Sequence, residues 1–177
     1  GRPSTAAKAA ELLGAGYRVI AADPFYLGES KIAQRDFLFA LQVAAVGDRP
    51  LGLQAGQVAA LARWSAAQRA TGPVTLIAVG PRSSAMALIA AALEDQAIGS
   101  VALHGSLGSL KEMIEQNWGV IEKPELFCFG LLESFDIKQL AALIAPRPVE
   151  FVEPGDRAKI ELADLAAWYQ LWQSDFD

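Results

Sequence analysis

Residues 74–93, VTLIAVGPRSSAMALIAAAL, constrain the fold of this chain more than any other stretch. β-Branched Val74, Thr75, Ile77 and Val79 sit in an apolar run, the pattern of a buried strand. Gly80-Pro81 stops it. Residues 82–93 are rich in Ala and Leu, with Met86, Ile89 and Leu93 spaced by three and four. That spacing predicts a helix with one apolar face. A strand that turns straight into a helix brings backbone close to backbone, so the turn needs small residues. Gly80, Ser84 and Ala85 supply them.

This strand–turn–helix is the layout of a nucleophile elbow. The reactive side chain of such an elbow stands two residues after the first small one, where this chain has Arg82. A guanidinium stays protonated and offers no lone pair, so it cannot attack a carbonyl. The expected geometry is intact, while the expected chemistry is gone.

The rest of the chain alternates around this unit. Ser4 or Thr5 can cap a helix over 6–13, which Gly14 and Gly16 end. Residues 17–22 (YRVIAA) predict a strand and 23–30 a loop. Residues 31–46, with Ile32, Phe39 and Val43, predict a helix that stops at Gly47-Asp48-Arg49-Pro50. A further helix over 53–69 carries Val58, Leu61 and Trp64 on one face and breaks at Thr71-Gly72-Pro73. After the central unit come a strand over 98–103, a Gly-rich loop over 104–109, a short helix over 110–116 and an irregular stretch over 122–133. Asp136 caps a helix running to about Ile144, which Ala145-Pro-Arg-Pro148 ends. A strand over 149–152, a tight turn over 153–156 and a closing helix over 158–172 finish the chain, the helix with Leu162, Leu165, Trp168, Tyr169 and Trp172 at core spacing.

One helix followed by four strand-plus-helix units predicts an α/β fold. The sheet is mostly parallel, in a three-layer α/β/α sandwich spanning 1–177 as a single domain. Ligand crevices in such sheets lie beyond the carboxyl ends of the strands. That edge gathers Asp23, residues 80–84, residues 104–106 and residues 154–156.

Composition narrows the function classes. A net charge of −5 without any Lys/Arg cluster argues against nucleic acid as a partner. No apolar run approaches the roughly 20 residues of a membrane span. Cys128 is the single cysteine, so no internal disulfide and no cysteine metal cluster can form, and a core position is expected for it. No His, Cys and carboxylate set has metal-ligand spacing, and no cofactor is implied. His104 is the single histidine, so any histidine-dependent mechanism must use it. No compartment is named by these residues.

Four segments resemble the α/β-hydrolase superfamily, most closely its acetyl xylan esterase-like and dienelactone hydrolase-like members. They are GYRVIAADPFYLGES, DRPLGLQAGQVAALARW, AVGPRSSA and FGLLESFDIKQLAALIAPRPVEFVEPGD. The last, from Asp136-Ile137 through Ala145-Pro-Arg-Pro148, is the most specific. The resemblance implies a partial α/β-hydrolase fold descended from a carboxylic ester hydrolase acting on acylated carbohydrate or small esters. It also implies the departures. The nucleophile position holds Arg82, and the acid position, just after the last strand, holds Asp156. No histidine follows Asp156, and the loop that gives the second oxyanion N–H would precede residue 1. On this resemblance a further strand belongs between the first two strands here. The chain is then a cut fragment or one half of a larger protein, with its sheet closed up or completed by a missing N-terminal segment or a homodimer partner.

Each candidate residue has two readings. Arg82, with Ser83 and Asp23 beside it, can clamp a small anionic or carbohydrate ligand at a helix N-terminus, or it can pair with a local acid such as Asp23 or Asp156. Ser83 and Ser84 are displaced nucleophiles, or else Ser84 is the small residue of the turn or a cap. His104 is a base or a structural residue. Asp156 is the catalytic acid or a turn residue, and Asp23 is a turn former. Phe25, Tyr26 and Phe37 can rim a cleft.

Overall fold

The computed structural model describes residues 6–31, 35–68 and 72–173. Three strands form one parallel sheet in the order β1 (Val74–Val79), β2 (Ile98–His104), β3 (Val149–Val152). Thr75 lies opposite Ser100, and Val79, His104 and Val152 stand level at the carboxyl edge. Helices α1 (Ala6–Gly14), α2 (Asp36–Ala45) and α3 (Pro50–Ala67) precede the sheet. Helix α4 (Pro81–Leu93) joins β1 to β2. Between β2 and β3 lie α5 (Glu112–Glu115), α6 (Leu131–Ser134) and α7 (Ile137–Ala142), and α8 (Asp156–Glu161) and α9 (Leu165–Gln173) close the chain. The fold is α/β, a partial sandwich of a parallel sheet with flanking helices, as the alternation predicts.

The central unit lies where its sequence places it. Helix α4 packs on β1 and β2 and is flanked by α3 and α7. Its burial is wider than one face: Ser84, Ala85, Met86, Ala87, Leu88, Ala90 and Ala91 are all buried, while Leu93 is 76% exposed. A helix apolar around most of its girth has to be enclosed in this way. Helix α3, which packs on α4, buries Leu51, Ala55, Ala59 and Ala62, while Val58 is only partly buried against the same core. Alanine stripes on both helices let them approach closely. An indole at that contact would hold them apart, and Trp64 is exposed instead.

Several element boundaries differ from the sequence expectations. Residues 17–22 form no strand, with Tyr17 and Ile20 exposed. A strand exists only through ladder bonds to a neighbour, and among the described residues nothing pairs with the outer edge of β1. The helix expected over 31–46 is α2, which starts later, after Arg35 at a positive φ of 58°. Ile32 lies outside the described residues, as do Arg69, Thr71 and the expected first caps, Ser4 and Thr5. The helix over 110–116 is the single turn α5, because Asn117 turns the chain at φ 51°. The closing helix is two helices, α8 and α9, with the break at 162–164. Leu162, Leu165, Trp168 and Tyr169 are half-buried, and the Trp172 side chain lies outside the described residues.

Polar side chains fix the joints between elements. Asp136 caps α7 in a full capping box with Gln139, as its position predicts. The same carboxylate accepts from Ser109 Oγ and from the Leu110 N–H, both at 2.6 Å, and so ties the loop after β2 to α7. Tyr169 Oη donates to the carbonyls of Ala141 and Arg147 at 3.2 and 3.1 Å, and burial pushes its pKa up to about 12.

Gly108 is where that loop touches α8. A Cβ built there lies 2.5 Å from Ala158 Cα and 2.6 Å from Ala158 N, both backbone atoms. Gly108→Ala is therefore expected to destabilise by about 1–3 kcal/mol, the range of overpacking, as helix α8 is pushed off the loop. Thermal unfolding checks this, and an unchanged midpoint would contradict the close approach.

Glu94 follows α4 and gives the fold a pH dependence. Arg63 Nη1 donates to its Oε2 at 2.6 Å, and the Ala97 and Gln96 N–H groups donate to Oε1 at 3.0 and 3.2 Å. The Arg63 bond first, then the Ala97 N–H, hold its carboxyl below the ordinary 4.5, against the opposing effect of burial. A lowered folded pKa stabilises above the unfolded value, and that contribution fades as pH falls through the lowered one. Glu94→Gln should thus lower the urea midpoint at neutral pH, and the gap to wild type should narrow as pH falls below about 4.5. A gap that does not narrow in acid would mean that the carboxylate is not the stabilising species.

Candidate functional site

The carboxyl edge of the sheet is built by the turn after β1 and the loop after β2. Gly80 has φ 89°, and its N–H donates to the His104 carbonyl at 2.7 Å, holding the two strand ends together. A Cβ on Gly105 lies 4.0 Å from Gly80 Cα, so the two glycines sit close at this edge. Pro81 is the first residue of α4, where its missing N–H is no loss. Arg82 is then the second helical residue. The left-handed backbone of the turn falls on Gly80 and not on the apex residue. The strand–turn–helix layout is present, but the apex is relaxed helix, whereas an elbow nucleophile sits on a sharp, strained turn.

Arg82 points at Glu125. Its Nε donates to Glu125 Oε1, and its Nη2 donates to Oε2 at 2.9 Å, a two-pronged pair. The Glu125 side chain is 0% exposed and the Arg82 side chain 21%. Glu125 lies on a 3₁₀ turn, Pro124–Leu126, whose three residues are all buried. That turn packs against α2, α3 and α4. The expected partners, Asp23 and Asp156, are both wrong. Asp23 accepts from the Glu29 N–H at 3.0 Å, its carbonyl accepts from Ser30 Oγ at 3.0 Å, and its carboxylate crowds Gly28. It is a turn former, as its alternative reading had it. Asp156 is the first residue of α8, 96% exposed, and faces Lys159 at 3.3 Å.

The other candidates are not drawn together. Ser83 Oγ donates to the Val79 carbonyl at 2.5 Å and reaches the Gly80 carbonyl at 3.3 Å, so its proton is directed to backbone rather than to a base. Ser84 is fully buried, and its Oγ has no hydrogen-bond partner among the described residues. It is the small packing residue and not a cap, since the N-cap of α4 is Gly80, without a side-chain bond. His104 is half-buried at the end of β2, and its ring has no hydrogen-bond or ionic partner among the described residues. Tyr26 does not rim a cleft. It is 0% exposed, its ring 4.0 Å from that of Phe25. Gln57 Oε1 accepts from the Phe25 N–H and Gln54 Nε2 donates to the Phe25 carbonyl, which pins this loop to α3.

Glu125 is the residue that sequence reasoning missed. It stands 43 positions from Arg82, inside a stretch with no helical or strand period. Its one local sign is Pro124 beside it, which says turn and nothing about a partner. Cys128 is half-buried, and burial raises its thiol pKa. It lines an apolar recess of about 230 Å³ with Leu110, Met113, Leu126, Phe127 and Leu132. Among the described residues, no cluster of His, Cys, Asp and Glu could hold a metal ion, and no helix is long and apolar enough to cross a membrane. Comparison of the chain with family models, with curated proteins and with solved structures finds no match.

Proposed function

We propose that this chain is a non-catalytic domain resembling the carboxylic ester hydrolases of the α/β-hydrolase superfamily, acting as a binding or scaffolding module. The observation that carries this is the pair at the apex. A cation and a fully buried carboxylate neutralise each other where an attacking oxygen would stand. Support comes also from the neighbours: the Ser83 hydroxyl is turned to backbone carbonyls, and Asp156 faces solvent and a lysine. A hydroxyl without a base within reach is a poor nucleophile.

The anion-binding reading of Arg82 is disfavoured on the same ground. Two of its donors are already engaged by Glu125, so an anionic ligand would have to displace a buried carboxylate. The test is p-nitrophenyl acetate hydrolysis by the purified chain. The expected rate is that of buffer, unchanged in Ser83→Ala and Ser84→Ala. Turnover that either substitution abolishes would return the domain to the esterases.

A further inference from the structure

No further inference is drawn: the strongest candidate, the outer edge of β1 with exposed Ile77 and Val79 beside it, has no strand partner among the described residues, and nothing in the structure shows what covers it.

Discussion

Arg82→Met is expected to lower the unfolding free energy by about 3–5 kcal/mol, the range seen when one partner of a buried ion pair is removed. The magnitude follows from which charge is left behind. Glu125 has no exposed surface, so without the guanidinium a buried polar group is left without its partner and without solvent to turn to. The reciprocal change, Glu125→Leu, should be milder, because the Arg82 side chain keeps 21% exposure and can swing its head to water. Arg82→Met together with Glu125→Leu should recover most of the loss, since two apolar side chains leave no charge to bury. Urea denaturation of the three variants closes a double-mutant cycle. A loss below about 1 kcal/mol for Arg82→Met would class the pair as a surface contact and remove its role as the anchor of the apex. This experiment also separates two ideas that the sequence alone leaves entangled. If Arg82 were present to hold a ligand, its loss would spare stability. If it is present to hold Glu125 and the segment around it, stability is the readout that moves.

Arg147→Ala should cost about 3 kcal/mol or more, because a hydrogen bond to a charged group contributes roughly 1.5–3 kcal/mol and three are lost together. The Arg147 Nη1 donates to the carbonyls of Glu94 and Ile98 at 2.9 and 2.8 Å, and Nη2 donates to that of Ala91 at 2.6 Å. Ala91 and Glu94 belong to the last turn and cap of α4, whose carbonyls have no partner within the helix. A cation there also faces the negative end of the helix dipole. One side chain thus joins the end of α4, the start of β2 and the approach to β3. Arg147→Lys should restore less than half of the loss, since a single ammonium cannot spread its donors as a planar fork does. Full rescue by lysine would show that charge alone, without the fork geometry, is what matters. Guanidinium chloride unfolding at neutral pH distinguishes the two.

Both predictions concern side chains that hold the turn after β1 and helix α4 in place. At an elbow, strain and an exposed hydroxyl serve chemistry. Here the positive φ falls on Gly80, where it is tolerated, and Arg82, the second helical residue, is engaged by the buried Glu125 carboxylate. Through that pair the turn after β1 clamps the irregular segment carrying Pro124–Leu126.

How much of this was legible differs element by element. The strand over 74–79, its glycine turn, the helix beyond it and the Asp136 cap could be read directly, because each depends on residues within a few positions of one another. Residues 17–22 carry equally good strand composition and are not a strand, because pairing is a property of two segments and composition describes one. Trp64 fits the helical period and is exposed, because alanines let α3 and α4 pack more closely than an indole allows. By itself the sequence determined that residue 82 could not attack a carbonyl, since the identity of Arg82 settles its chemistry wherever it lies. Only the tertiary structure decided what the guanidinium does instead. Its partner is distant along the chain, and a carboxylate reveals its need for a counter-charge only once folding has taken it out of water.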